Sequence, residues 1–301
     1  MRVAVLGGTG YLGRYVVREL LSRGHGVRGV SRHIASGPGV EWIRGDFRSL
    51  ELAMRALQGM DALVHLVGVI RPQGDDTFES IHVEGTRIWQ IAARDSGIQR
   101  FIYVSALGAA NVPRLRYAYS KWQAENIVKE SGVPWTIFRP SLLFGPGGKG
   151  FLDRLIQSLE MAPRGLAPLP AGGRTRYQPL YVGDLAKAIA ISLERDDEGK
   201  TFTLGGPEHL TYRQILERIL EVLGERRRMV PVPALLLKPA VWVMQSLYPD
   251  PPVTLDELAQ LPYDNITDLD SVERHFGFSP MPMTVENIAY LREAREKKAQ
   301  A

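Results

Sequence analysis

Cysteine is absent from all 301 residues of the chain. That excludes disulfides, thiolate zinc sites, iron–sulfur clusters and a cysteine nucleophile. A strong charge of either sign is also missing. The 37 basic and 33 acidic residues leave a formal net charge of +4, a weak field for this length, so nucleic acid is not an expected partner. The basic clusters Arg226-Arg227-Arg228 and Lys297-Lys298 read as a solvated face and a frayed tail. No apolar run is long enough to span a bilayer. The most apolar stretch, Pro233 to Tyr248, is interrupted by Lys238 and Pro239. It reads as an internal helix, with docking on a membrane or a partner protein as the alternative. His25, His33, His65, His82, His209 and His275 share no metal-ligand spacing, so no metal site is expected. Neither G-x-S-x-G nor a P-loop lysine occurs. The chain opens MRVAVLGGTG, which puts the first strand at residue 2 and leaves no room for a signal peptide. The expectation is a cytoplasmic protein, membrane-peripheral at most.

What is present is an alternation of strands and helices. VAVLG (3–7), GVRGVS (26–31), VEWIRG (40–45), DALVHLVG (61–68), RFIYVS (100–105), WTIFRPS (135–141) and TFTLGG (201–206) read as strands. Between them, 11–23, 50–58, 81–93 and 117–130 carry helical apolar stripes. This pattern predicts an α/β fold: a doubly wound, parallel Rossmann sheet of about seven strands. From Ser141 onward Gly/Pro-rich loops surround a helix over 151–160, a further helix is expected behind Asp184 as its N-cap, and Thr211 would cap ILERILEVL. The expected organisation is a dinucleotide-binding domain over 1–145 and 176–206, and a small, mainly helical lobe over 146–175 and 207–301.

Gly7-Gly8-Thr9-Gly10-Tyr11-Leu12-Gly13 follows the first strand and opens the first helix. Glycines at this spacing permit a tight turn, close backbone approach to a pyrophosphate, and close helix–strand packing. The helix N-terminus then presents N–H groups to phosphate. At the end of the second strand, where NAD-binding sites usually carry a carboxylate for the ribose 2′-OH, stand Ser31 and Arg32. Arg32, helped by Arg14, suits a 2′-phosphate, so NADP(H) is expected, with NAD(H) as the alternative. Asp46 could accept from the adenine amino group. Val67, Gly68 and Pro140, at the ends of the fourth and sixth strands, complete the set facing the cofactor.

Tyr117 and Lys121 share a helix face directly after the fifth strand. A lysine so placed lowers a phenol pKa and can hold ribose hydroxyls, and the tyrosine can then pass a proton while nicotinamide passes a hydride. Ser105 could orient a carbonyl. Arg174, Arg176, Tyr177 and Gln178 are polar candidates for a cleft between the sixth-strand loop and the C-terminal lobe.

GGTGYLG (7–13), GD (45–46), Y-x-x-x-K (117–121), FRPSLLFGPG (138–147), QPLYVGDLAKAI (178–189) and TFTLGGPEHLTYRQIL (201–216) together resemble a short-chain dehydrogenase/reductase of the extended or atypical type. IHVEGTRIWQIAARDSG (81–97) and the tail at 268–293 are similar to relatives of the nucleotide-binding accessory subunit of respiratory complex I. The resemblance implies a C-terminal lobe closing over nicotinamide, Tyr117 as acid/base, and Lys121 as ribose binder. Two departures stand out: only twelve positions separate Ser105 from Tyr117, and His82 replaces the asparagine that often completes the family's proton relay. Three readings follow. The first is an oxidoreductase acting on a small apolar carbonyl or alcohol. The second is a non-catalytic NADP(H)-binding module docked, through 233–248, on a membrane or a quinone-linked respiratory assembly. The third is a sugar-nucleotide epimerase or dehydratase.

Overall fold

The structure is a computed structural model describing residues 1–32, 37–148, 150–233, 237–239, 241–242, 245 and 253–300, with side chains to 296. Two compact units emerge from it: Met1–Pro140 with Val182–Leu204, and Ser141–Tyr181 with Gly205–Ala301.

The first unit is built on strands β1 (Arg2–Leu6), β2 (Gly26–Ser31), β3 (Val40–Arg44), β4 (Ala62–His65), β5 (Arg100–Val104) and β6 (Trp135–Pro140), followed by the strand Lys200–Leu204. All seven are parallel, in the order β3-β2-β1-β4-β5-β6 and then Lys200–Leu204. The order reverses between β1 and β4, and such a switch point leaves a crevice at the carboxyl ends of the strands. Central β4 is buried along its whole length, whereas edge strand β3 is half-exposed. That is why ALVH reads as a continuous apolar run and VEWIR as an alternation.

Helices α1 (Tyr11–Ser22), α2 (Leu50–Leu57), α3 (Gly85–Asp95) and α4 (Arg116–Lys129) fill the crossovers. On one face, the apolar sides of α2, α3 and α4 close over Leu63, Phe101 and Tyr103 of the sheet. Trp89 is fully buried there and donates from its indole nitrogen to the Phe47 carbonyl at 2.7 Å. A Cβ at Gly85 would lie 2.4 Å from the Phe47 ring, so the helix start depends on that glycine. A π-helical turn, Glu79–Glu84, runs directly into α3. Such turns mark functional positions in many folds.

The sheet and its helices match the expected Rossmann architecture. The differences are local. The fourth strand ends at His65, not at residue 68; Leu66 N–H still donates to the Leu6 carbonyl of β1 at 3.0 Å, and the regular pairing stops there. Asp184 is not an N-cap: the helix Val182–Leu193 has already begun, and Asp184 sits in its first turn, where a carboxylate complements the dipole.

In the second unit, the helices Phe151–Met161 and Tyr212–Leu223 pack around Phe144, Leu155, Leu169, Ile215, Ile219 and Met283. Thr211 caps the latter helix as expected, in a reciprocal capping box with Gln214. This unit is not purely helical. Leu166–Pro170 pairs with Arg228–Val232, and two shorter strand pairs join 143–144 to 180–181 and 176–177 to 210–211. Most of the 233–248 stretch lies outside the described residues; of those described, Val241 is buried and Trp242 is 63% exposed. Among the described residues no helix is long and apolar enough to cross a membrane.

Candidate functional site

The glycine loop leaves β1 with Gly7 at φ +86°, a backbone conformation natural to glycine. Gly7 N–H donates to Val30 on β2, Gly10 N–H closes a turn onto the Gly7 carbonyl at 2.9 Å, and Arg14 N–H starts the helical ladder on Gly10. A Cβ at Gly13 would lie 2.1 Å from the Gly7 oxygen and 2.8 Å from the Gly8 Cα, and one at Gly10 would lie 3.1 Å from the Gly7 oxygen. These contacts are with backbone, which cannot step aside. The helix begins without a capping side chain and without an acidic residue in its first turn. Its N–H groups and dipole suit an anion, with no competing side chain at the cap. Tyr11 and Leu12 are half-buried in that first turn. Thr9 and Ser31 hydroxyls lie 3.1 Å apart and tie the loop to the end of β2. The cradle that added methyl groups would fill fits the pyrophosphate of a dinucleotide.

Arg32 stands beside this loop, 53% exposed, with its Nη1 2.8 Å from the Asp76 carboxylate. Asp46 is gripped by Arg48, which donates from Nε, Nη2 and its backbone N–H at 2.8–3.1 Å. Those bonds hold the Asp46 carboxyl below the ordinary carboxylate range, with Arg32 adding its charge. Asp46 is therefore not a bare acceptor awaiting adenine; its two oxygens already face a guanidinium. Arg48 and Asp76 do not stand out in the sequence. Asp76 in particular lies 44 residues from the arginine it pairs with, so no local pattern announces it.

Val67 packs on the loop, its Cγ2 3.2 Å from where a Gly7 Cβ would stand. Next to it, a Cβ on Gly68 would meet His82 Nε2 at 3.3 Å and Lys121 Nζ at 3.8 Å. Glycine loop, Val67-Gly68, His82 and Lys121 thus form one continuous run of packed residues. The Tyr117 ring stands edge-on to His82 at 5.8 Å and to Phe78 at 5.8 Å. His82 is wholly buried, and its Nε2 accepts from Val69 N–H at 3.0 Å. Because an amide N–H can only donate, the proton of the neutral ring sits on Nδ1, 2.8 Å from the Ser120 hydroxyl. Ser120 in turn donates to the Tyr117 carbonyl at 2.8 Å. Burial, then the Lys121 charge, hold His82 well below the usual histidine pKa. His82 is a neutral brace between the Val69 loop and the Tyr117 main chain.

Lys121 projects inward. Its ammonium donates to the Tyr103 hydroxyl at 3.0 Å and to the Val104 carbonyl at 2.7 Å. An ammonium has three donors, and these acceptors take two. Burial brings its pKa down to about 7, against the opposing pull of Glu125.

Ser105 is a correction. Its hydroxyl donates to Glu125 at 2.5 Å, and Glu125, with no exposed side chain, is also held by a bidentate Arg139 at 2.8 and 2.5 Å and by Lys129 at 3.7 Å. A buried carboxylate requires donors, so Ser105 serves this ion pair and does not aim its proton at a carbonyl. Glu125 looks like a solvated helix residue in sequence; only the sheet behind it makes it internal. Pro140 is buried at the end of β6, where its carbonyl accepts from Leu107 N–H at 2.8 Å.

The four residues expected to line a substrate cleft lie in the second unit and divide in role. Gln178 is fully buried; its Nε2 donates to the Gly206 and Asp268 carbonyls at 2.7 and 3.2 Å, and its Oε1 accepts from Thr267 N–H at 2.6 Å. It is a strut that satisfies loop backbone, not a cleft residue. Arg176 is paired with Asp264 at 2.7 Å. The Tyr177 ring packs on Phe151, and burial, with Glu257 and Asp264, pushes its phenol up to about 12. Arg174 lines a cavity of about 490 Å³ with Gly172, Gly173, Thr211 and Arg213. Among the described residues, no three histidine, aspartate or glutamate side chains are grouped to hold a metal ion.

The sequence pattern of the NAD dependent epimerase/dehydratase family matches residues 3–205. The chain is 28% identical over 302 residues to the mitochondrial NADH-ubiquinone oxidoreductase 40 kDa subunit of Neurospora crassa, covering 97% of this chain and 79% of that one. It is 27% identical over 331 residues to 2-alkyl-3-oxoalkanoate reductase of Stenotrophomonas maltophilia, covering 97% and 98%. The fold matches that of the Thermus thermophilus UDP-glucose 4-epimerase complex with NAD at a TM-score of 0.72 and 22% identity, over 97% of this chain and 98% of that one. The resemblance to extended short-chain dehydrogenases stands on these matches.

Proposed function

We propose that this chain, which belongs to the NAD dependent epimerase/dehydratase family, is an NADP(H)-dependent oxidoreductase that reduces a small apolar carbonyl or oxidises the matching alcohol. The observation that carries the reading is the continuous packing from the glycine loop through Val67-Gly68 to Lys121 and His82, with Tyr117 against it. The residues fit a dinucleotide: Gly7, Gly8, Gly10 and Gly13 take the pyrophosphate, Ser31 and Arg32 the adenosine ribose, and Lys121 the nicotinamide ribose. When bound, the nicotinamide would supply hydride chemistry for the carbonyl carbon. Tyr117 gives its phenolic proton to the carbonyl oxygen and takes one back from solvent, or the reverse for alcohol oxidation. The Lys121 ammonium, one helical turn away, lowers the cost of the tyrosinate. Gly68 leaves the space above Lys121 open, and His82 fixes the Tyr117 backbone.

A second reading is a module that holds NADP(H) without turnover and docks on a membrane or respiratory assembly. It is favoured by the inward bonds of Lys121 and Ser105 and by likeness to a subunit of NADH-ubiquinone oxidoreductase. Calorimetry with NADPH and NADH, followed by NADPH consumption over a panel of apolar ketones, aldehydes and sugar nucleotides, separates the two. The oxidoreductase reading expects turnover on a ketone or aldehyde and its loss, with NADPH binding intact, in Tyr117→Phe. Unchanged turnover in that variant defeats the mechanism. Tight binding with no turnover on any substrate favours the module.

A further inference from the structure

At the far end of the glycine loop, four charges compensate one another. Asp46 holds Arg48 through both oxygens, Asp76 holds Arg32 at 2.8 Å, and the second Asp76 oxygen lies 3.6 Å from Arg48. Arg32 is 53% exposed while Asp76 is 22% exposed, so the carboxylate is the more deeply set partner. Arg32 extends from the end of β2, the position from which a side chain reaches the ribose 2′ substituent of a dinucleotide. Asp76 reaches it from a different element. Gln73 and Asp76 exchange both backbone hydrogen bonds, at 3.1 and 3.0 Å, across a turn with Gly74 at φ +55°. Two residues later Phe78 stacks on His82 and stands edge-on to Tyr117.

A 2′-phosphate carries close to two negative charges and seeks a guanidinium. Here the guanidinium already has a carboxylate in that role, and a second anion beside it is repelled. We propose that Asp76 is the residue that sets the choice between NADP(H) and NAD(H): it stands where the 2′-phosphate belongs, neutralises Arg32 when the 2′ position carries only a hydroxyl, and must give up Arg32 when it carries phosphate. This rests on the reading that the glycine loop holds a dinucleotide. Asp76 therefore limits the preference for NADP(H) that Arg32 alone would confer.

The test is calorimetric titration of the full chain with NADPH and with NADH, for the wild type, Asp76→Asn and Asp76→Ser. Both variants keep the backbone pairing with Gln73, and a thermal melt of each checks folding. Removing one like charge a few ångströms from the phosphate is expected to tighten NADPH by roughly fivefold to tenfold while NADH changes by less than about twofold. Adding Arg32→Ala to Asp76→Asn is expected to abolish that gain. An unchanged NADPH-to-NADH ratio in both single variants, or equal tightening of both nucleotides, overturns the role of Asp76 and leaves the glycine-loop reading standing. Failure of both nucleotides to bind folded wild type and folded variants overturns the glycine-loop reading, and this inference with it.

Discussion

The Lys121 ammonium donates to the Tyr103 hydroxyl across 3.0 Å, from the helix after β5 back onto β5 itself. Both side chains are buried, Lys121 at 3% exposure and Tyr103 at none. A tyrosine one residue before the strand end thus accepts from this lysine, and the lysine carries a folding cost that varies with pH.

Lys121 has its pKa lowered from 10.5 to about 7 by burial. Between those values the unfolded chain binds the proton and the folded chain does not, so stability rises with pH across that window and falls as pH drops toward 7. Below about 7 both states are protonated and the dependence ends. Lys121→Met is expected to remove the slope and to gain up to a few kcal/mol at neutral pH. Urea unfolding of both proteins at pH 7 and pH 10 checks it; equal slopes in the two would contradict a buried ammonium.

His65, fully buried at the end of β4, has both ring nitrogens without a hydrogen-bond partner. Burial, then the Lys121 charge, lowers its pKa from 6.5 to about 3. Above pH 6.5 both states are neutral; below it the unfolded chain gains a proton that the folded chain refuses, so stability falls with acid down to about pH 3. His65→Leu is expected to stabilise the protein by about 1–2 kcal/mol at neutral pH, because an orphaned polar group leaves the core. It should also reduce the acid slope by up to about 1.4 kcal/mol per pH unit. Unfolding curves at neutral and mildly acid pH give both quantities.

Gly13→Ala places a methyl carbon 2.1 Å from the Gly7 oxygen, and the loop cannot keep its shape. The expected cost is about 1–3 kcal/mol of stability from overpacking, with nucleotide affinity lost by far more than that strain alone explains. A melting curve and an NADPH titration on the same preparation measure the two. A variant that binds normally would show that the cradle is only a packing turn.

Ser105→Ala removes a donor from the buried Glu125 carboxylate. A loss of about 1.5–3 kcal/mol in stability is expected, the range for a hydrogen bond to a charged group. Turnover per folded molecule, once a substrate is known, should stay within a few-fold of wild type. A collapse of turnover in a fully folded Ser105→Ala protein would restore the serine to the reacting site.

The Rossmann sheet was legible because its strands are buried on both faces and read as apolar runs, while its helices carry apolar stripes and glycine or serine boundaries. The glycine loop was legible because its constraint is largely local: Gly7 takes a positive φ, and Gly10 and Gly13 are hemmed in by the backbone of Gly7 and Gly8. The Thr211–Gln214 box and the Tyr117–Lys121 face are likewise relations of three and four residues. The errors fall where a polar side chain takes its partner from elsewhere in the chain. Gln178 looks like a cleft residue until Gly206, Thr267 and Asp268 close around it. Ser105 looks free until Glu125, itself held by Arg139, accepts a hydrogen bond from its hydroxyl.

The sequence by itself therefore determined the class of fold, the tight glycine turn and the shared helix position of Tyr117 and Lys121, because each follows from spacing along one element. Tertiary structure decided what those groups face. It turned Lys121 toward Tyr103, Ser105 toward Glu125, and Arg32 toward Asp76. Charge and hydrogen-bond energies depend on distance in space and on access of water, and neither is a property of separation along the chain.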